Sequence, residues 1–372
     1  MRTEMKKWET QEWWEKRQWT EEDVEEMWKE ERERLSQQPW FEPGKPCRYP
    51  IFQERDWEDE FERNWGKWGA QGIGKLRKVS LLRPPAFEIN PVFEKEPAYY
   101  RIYGNRVADL DKWRKAFDEY VKVLEGEGVE VIFWDVPESP VGPYGFVRNI
   151  NCTYLLATKA GIIVPRPAMA GWMQPVRWVA EQVMKMGCPI LYMMHGKECG
   201  EVTPRYIAEH SVIINEGMTV NREACNKYKI LLEELGDEVW VAHTPGPVDI
   251  WGFPSSGCSH LDWVLEVVDL GLAVVFPPFL DFSTIRYLHD KKIRLIEISP
   301  EEYVQYGANF LLIEPKKIIL PAAAKRLIKT LRKEGVECIE IDFSENAMGG
   351  NGGPACITGR LLRDPGPSLD DL

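Results

Sequence analysis

The chain has 372 residues, 44% of them hydrophobic and 28% charged, and a formal net charge of −12. That apolar fraction is ample for a large buried core, whereas the negative balance is unsuited to neutralising phosphates, so small molecules are expected as partners and nucleic acid is not. No run of about 18 apolar residues occurs and residues 1–40 are packed with charges unlike a signal peptide, so no membrane segment is expected and the chain reads as cytoplasmic.

Nine of the sixteen tryptophans fall within residues 1–75, interleaved with Glu, Lys and Arg, which sets this stretch apart as a helical N-terminal extension. Thr20 suits a helix N-cap, with Asp23 three residues on, and predicts a helix to about Leu35. Trp13, Trp14, Trp19 and Trp28 read as anchors that clamp the extension to the main body or to a second subunit, and a homo-oligomer is expected. Gly69, Gly72 and Gly74 have the wrong spacing for a dinucleotide fingerprint and read as a linker.

From residue 76 to 372 one plan repeats: strand, second strand or turn, amphipathic helix, strand. The first block runs from a strand at 79–82 through a helix at 110–125 to a strand at 129–136. The second takes strands at 153–158 and 161–165, a helix at 173–186 and a strand at 189–194. The third has a strand at 211–215, a helix at 221–235 and a strand at 238–244. The fourth has strands at 260–268 and 272–276, a helix at 282–289 and a strand at 293–299. The fifth has strands at 309–314 and 317–320, a helix at 322–334 and a strand at 336–343. A single unit of this size cannot cover both faces of its sheet, so the units must close on one another around an axis. The predicted fold is a five-bladed α/β propeller of ββαβ modules, with loops converging on a central channel.

The eight cysteines are scattered without a CxxC pair, which argues against zinc and for free thiols. Cys356 differs from the rest because Gly349, Gly350, Gly352 and Gly353 precede it, a pattern that places a sulfur at the tip of a tight turn and lets backbone approach a ligand. A glycine-rich surface loop before a buried cysteine is the plain alternative. A thiolate nucleophile needs a proton partner, and among five histidines His260 stands out in Ser259-His260-Leu261-Asp262. Read as a strand, that stretch puts His260 and Asp262 on one face. Arg148-Asn149 and Glu198-Cys199-Gly200-Glu201 fall at corresponding places in other blocks.

Together these residues resemble the guanidine-modifying, or pentein, superfamily of arginine deiminases, dimethylarginine hydrolases and amidinotransferases, over roughly residues 76–364. The resemblance implies that Cys356 attacks the central carbon of a guanidine or amidine-like small molecule and that His260 protonates the departing nitrogen. Glu198, where the family has Glu-Gly-Gly-Asp, would be the acid beside His260. Asp262, Asn149, Arg148 and Asn351 would bind substrate, and no metal or organic cofactor is required. Two departures stand out. Asn149 replaces the usual aspartate, removing one charge-assisted hydrogen bond and pointing to a less basic substrate or to a second hydrolysis, as in the arginine dihydrolases. Cys199 and Glu201 replace the first glycine and the aspartate of the acidic motif.

The covalent thiouronium-type intermediate that follows can be resolved by water, giving a hydrolase, or by an amine, giving an amidinotransferase. Water is the expected acceptor. A non-catalytic binding protein on the same fold is disfavoured because the cysteine, the histidine and the acids occur together.

Overall fold

The structure is a computed structural model that describes residues 20–38, 57–84, 109–135, 155–167, 176–201, 204–245, 260–345 and 352–372. By compactness the chain divides into two units, residues 1–60 and 61–372. In the smaller unit, helix α1 (Glu21–Ser36) begins at Thr20 with a capping box: the Asp23 N–H donates to Thr20 Oγ1 at 3.2 Å, and the Thr20 N–H donates to Asp23 Oδ2 at 2.9 Å. Three acids in its first turn meet the positive end of the helix dipole. Trp28 is 52% exposed, while Trp13, Trp14 and Trp19 lie outside the described residues.

Helix α2 (Trp57–Trp65) runs across the division between the units. Beyond it, the glycines expected to form a linker are part of the fold. The Gly69 N–H donates to the Leu361 carbonyl at 2.8 Å, and the Gly69 carbonyl accepts from the Arg363 N–H at 2.9 Å. A Cβ on Gly74 would lie 2.0 Å from the Asp364 carbonyl oxygen, so only glycine allows these two segments to approach so closely.

The larger unit is the expected α/β propeller. It contains five three-stranded sheets, in which the first strand runs antiparallel to the second and the second parallel to the third. A parallel pair cannot be joined by a hairpin, so a helix crosses between the second and third strands of every sheet. Sheet one joins β1 (Leu76–Leu82), helix α3 (Leu110–Gly126) and β2 (Glu130–Trp134). Sheet two is β3 (Leu156–Thr158), β4 (Gly161–Val164), helix α4 (Val176–Lys185) and β5 (Ile190–Met193). Sheet three is β6 (Arg205–Ala208), β7 (Ser211–Glu216), helix α5 (Arg222–Glu234) and β8 (Glu238–His243). Sheet four is β9 (Leu265–Asp269), β10 (Leu272–Val275), helix α6 (Phe282–Asp290) and β11 (Arg294–Glu297). After a short helix α7 (Pro300–Val304), sheet five is β12 (Leu311–Glu314), β13 (Lys317–Pro321), helix α8 (Lys325–Lys333) and β14 (Glu337–Ile341).

The missing strand of sheet one comes from the far end of the chain. After a one-turn helix α9 (Pro354–Ile357), strand β15 (Thr358–Arg363) pairs antiparallel with β1, with Thr358 opposite Leu81 and Arg360 opposite Val79. The C-terminus therefore closes the ring, and Cys356 sits immediately before the closing strand. Strands β3, β6, β9, β12 and β15 form the inner wall. Residues on all five line a small cavity of about 40 Å³, among them Leu156, Tyr206, Glu266, Leu312 and Arg360.

Two local assignments differ from expectation. The third sheet opens with β6, which the sequence conceals because Tyr206-Ile207-Ala208 is too short to show a period. Residues 260–268 are not one strand: His260 precedes a 3₁₀ turn, Leu261–Trp263, and β9 starts only at Leu265. His260 (4% exposed), Leu261 (0%) and Asp262 (1%) are all buried in this turn.

Candidate active site

Cys356 lies in the one-turn helix α9 and is buried, 1% exposed. Pro354 at the first helical turn presets the backbone there, and Gly353 is the N-cap. Gly352 has φ +70°, and a Cβ on it would stand 2.7 Å from Cys356 Sγ. A Cβ on Gly353 would stand 2.6 Å from the Asn309 carbonyl oxygen. Both glycines thus let this helix pack against the loop before β12.

That loop carries Asn309, fully buried, whose role the sequence did not reveal. Its Nδ2 donates to Cys356 Sγ at 3.1 Å and to the Asp262 carbonyl at 3.1 Å, and its Oδ1 accepts from the Cys356 N–H at 3.2 Å. A polar residue directly before the apolar run Phe310-Leu311-Leu312-Ile313 was the available signal. Cys356 Sγ lies 3.5 Å from Asp262 Oδ2, toward which a thiol would donate.

Asp262 is held in turn by Arg205, the first residue of β6. Arg205 Nη2 is 3.0 Å from Asp262 Oδ2, and Arg205 Nε is 2.9 Å from Glu266 Oε2. Burial opposes the Asp262 charge, but Arg205, His260 and Arg360 outweigh it and hold the carboxyl below its ordinary range. For Glu266 burial prevails, and its carboxyl is raised despite Arg205 and Arg360.

His260 Nε2 is paired with Glu201 Oε2. Burial disfavours the imidazolium, yet the charge and hydrogen bond of Glu201, with Asp262 nearby, prevail and raise His260 above its ordinary value. Glu201, completely buried, is therefore the acid beside the histidine, and the expectation for Glu198 is corrected by three residues. The Glu198 carboxylate accepts from Tyr192 Oη at 2.8 Å and from the His195 N–H at 3.1 Å, with Lys227 Nζ 3.9 Å away. The cause of the misplacement is local. The Cys199 N–H donates to the N-cap side chain of Asn221, and the Gly200 N–H to the Arg166 carbonyl, so the chain turns inward only at Glu201.

His260, Asp262, Cys356 and Glu201 are thus gathered with Asn309 and Arg205. Arg148, Asn149 and Asn351 lie outside the described residues. Of the other described cysteines, burial pushes Cys188 up to about 12 and Cys225 up to about 11, values suited to packing and not to nucleophilic chemistry. Among the described residues there is no group of three or more His, Cys, Asp or Glu that could hold a metal ion, and no helix long and apolar enough to cross a membrane.

Comparison with known proteins agrees with this architecture. An arginine deiminase family model matches residues 280–363. The chain is 24% identical over 323 residues to the 2-nitroimidazole nitrohydrolase of Mycobacterium sp. strain JS330, covering 82% of this chain and 84% of that protein. It is 23% identical over 290 residues to the uncharacterized protein YkgA of Bacillus subtilis strain 168, covering 78% and 93%. Among solved structures, a cysteine-to-serine variant of the dimethylarginine dimethylaminohydrolase of Pseudomonas aeruginosa, complexed with citrulline, superposes with a TM-score of 0.61 at 17% identity, covering 77% of this chain and 99% of that one. The substrate-bound N-terminal domain of ArgZ, a cyanobacterial arginine dihydrolase, gives 0.62 at 14% identity, covering 78% and 98%. The chain thus shares the fold of these solved structures and is similar over residues 280–363 to the arginine deiminase family.

Proposed function

We propose that this protein is a hydrolase that displaces a leaving group from the central carbon of a guanidine or amidine-like small molecule through a covalent bond to Cys356. The observation that carries this reading is the convergence on Cys356 Sγ of the Asn309 amide and the Asp262 carboxylate, with His260, on the turn that supplies Asp262, paired with Glu201. An N–H donor aimed at sulfur stabilises a thiolate, and a carboxylate beside a histidine favours the protonated form that acts as an acid.

In the proposed cycle the thiolate adds to the central carbon and forms a C–S bond. The bond to the departing nitrogen then breaks, its electron pair taking a proton from His260 when the leaving group is an amine. Water next adds to the same carbon and gives a proton to His260, and the C–S bond breaks to restore the thiolate. Water is favoured over an amine acceptor because the named relatives are a nitrohydrolase, a dimethylaminohydrolase and a dihydrolase. A nitro group on an N–C–N carbon, as in 2-nitroimidazole, leaves as nitrite and needs no proton, so the same nucleophile serves both chemistries.

The test is to incubate the protein with a panel of guanidino, amidino and nitroimidazole compounds, with and without glycine as an amine acceptor. Ammonia, released amines, nitrite and any transferred amidino group are followed by mass spectrometry. Turnover without acceptor and a covalent adduct on Cys356 are expected. Full turnover by Cys356→Ala would sink the assignment.

A further inference from the structure

We propose that Arg205 is a specificity-determining residue: it neutralises the acids beside Cys356, so the site selects uncharged N–C–N substrates over guanidinium or amidinium cations. This rests on the reading of Cys356 and its neighbours as the substrate site, and it adds the charge class of the substrate.

A cation entering a buried site loses its hydration and needs a carboxylate in exchange. Asp262 is the carboxylate nearest the sulfur, and Arg205 already stands on it at 3.0 Å, with both side chains 1% exposed. The same guanidinium reaches Glu266 at 2.9 Å through Nε, while its Nη1 donates to the Pro204 carbonyl at 2.8 Å. Arg205 is thus fixed at three points by its own strand and by the turn and strand of the next blade. Moving it aside would strand two buried acids. Arg360 adds its positive charge to the surroundings of both. The third acid, Glu201, is paired with His260. Among the described residues of the site every carboxylate therefore has a resident cation.

A substrate guanidinium on Asp262 would lie next to the Arg205 guanidinium in a medium where like charges repel more strongly than in water. An uncharged substrate meets no such penalty. The chain thus carries its own guanidinium where a basic substrate would otherwise be recognised.

Matched probes of similar shape and opposite charge state test this: nitroguanidine against methylguanidinium, and 2-nitroimidazole against protonated 2-aminoimidazole, at mildly acidic pH. Affinities are measured by calorimetry on full-length Cys356→Ala, and turnover on the wild type. Each uncharged probe is expected to bind at least about tenfold more tightly than its cationic partner. Adding Arg205→Met should shift that ratio by about tenfold or more toward the cation. Glu266→Gln, a milder change that leaves Arg205 with surplus charge, should move it the opposite way and keeps the test decisive if Arg205→Met does not fold. Cations bound as tightly as their uncharged partners, no binding by either uncharged probe, or a Glu266→Gln shift toward cations would each overturn the proposal. Preference for uncharged probes without any turnover would instead remove the hydrolase reading and leave charge selection standing.

Discussion

The Asn309 side chain grips Cys356 at two points, donating to the sulfur at 3.1 Å and accepting from the Cys356 N–H at 3.2 Å. A carboxamide is suited to this because it offers a donor and an acceptor on one rigid plane. Asn309→Asp keeps the shape, removes the donor and adds negative charge beside the sulfur. A donor to a charged atom is worth about 1.5–3 kcal/mol, so kcat should fall roughly tenfold to a hundredfold. Rates of Cys356 alkylation by iodoacetamide should fall in parallel. Unchanged alkylation and kcat would show that the Asn309 contact with sulfur has no bearing on its reactivity.

The Glu201–His260 pair gives a pH prediction with a definite sign. His260 is raised above its ordinary value of 6.5, so the pair's contribution to stability is fully present below that value and is lost as pH rises through the folded-state pKa. Glu201→Gln removes the charge that raises it. The variant should show a lower His260 pKa by NMR titration and a smaller loss of stability toward alkaline pH. For substrates with amine leaving groups, the alkaline limb of the rate profile should move to lower pH. An unmoved His260 titration would contradict this account.

Glu198 and Glu201 can be separated by the same chemistry. Glu198 is bonded to Tyr192 and to the His195 backbone, away from His260, and its carboxylate contributes, after burial, to raising Tyr192 to about 12. Glu198→Gln should therefore leave the His260 titration where it is, while lowering the Tyr192 pKa measured by ultraviolet titration. A His260 shift equal to that of Glu201→Gln would restore Glu198 to the position first expected of it.

The repeat was legible because the crossover helices have apolar stripes, three of them starting at a side-chain cap (Asp109, Asn221 and Asp281), between buried strand runs such as Val212-Ile213-Ile214 and Val274-Val275. Cys356 was singled out by the glycines before it, and His260 and Asp262 by a strand reading and the family resemblance; the structure brings the three close together, but with His260 and Asp262 on a turn and not on a strand. The sequence hid what depends on contacts between blades. Asn309 and Arg205 acquire their partners from residues 47 and 57 positions further along the chain, and no local pattern encodes such a meeting. The pairing of β15 with β1 joins Leu76 to Arg363 and was hidden for the same reason. Glu198 was preferred to Glu201 because residues 198–201 were aligned with the family's Glu-Gly-Gly-Asp motif, and only the backbone shows that Glu201 is the acid that enters the core.

Gly352 tests how tightly the Cys356 turn is built. Alanine there would need φ +70° and would bring its Cβ to 2.7 Å from Sγ. Left-handed backbone costs a non-glycine residue about 1–3 kcal/mol, so Gly352→Ala should lower unfolding free energy by about that amount. Because the clash is with sulfur itself, kcat should fall by more than stability alone explains, even where the variant remains fully folded. Stability lost with kcat retained would mean that the turn yields without moving the sulfur.

Asn149 offers a second test of substrate charge, coupled to that of Arg205. At this position the resembling family has an aspartate, which would supply a further carboxylate. Asn149→Asp should improve kcat/KM for cationic guanidines and leave uncharged substrates equal or poorer, because a charge-assisted hydrogen bond is about twice as strong as a neutral one. The gain should depend on Arg205: in Arg205→Met, where Asp262 has already been released, the added carboxylate should contribute less, and a double-mutant cycle measures the difference. Equal gains in both backgrounds would mean that the two positions act on separate parts of the substrate. No gain for any cation would show that Asn149 does not set the preference, leaving Arg205 to be judged by the matched probes alone.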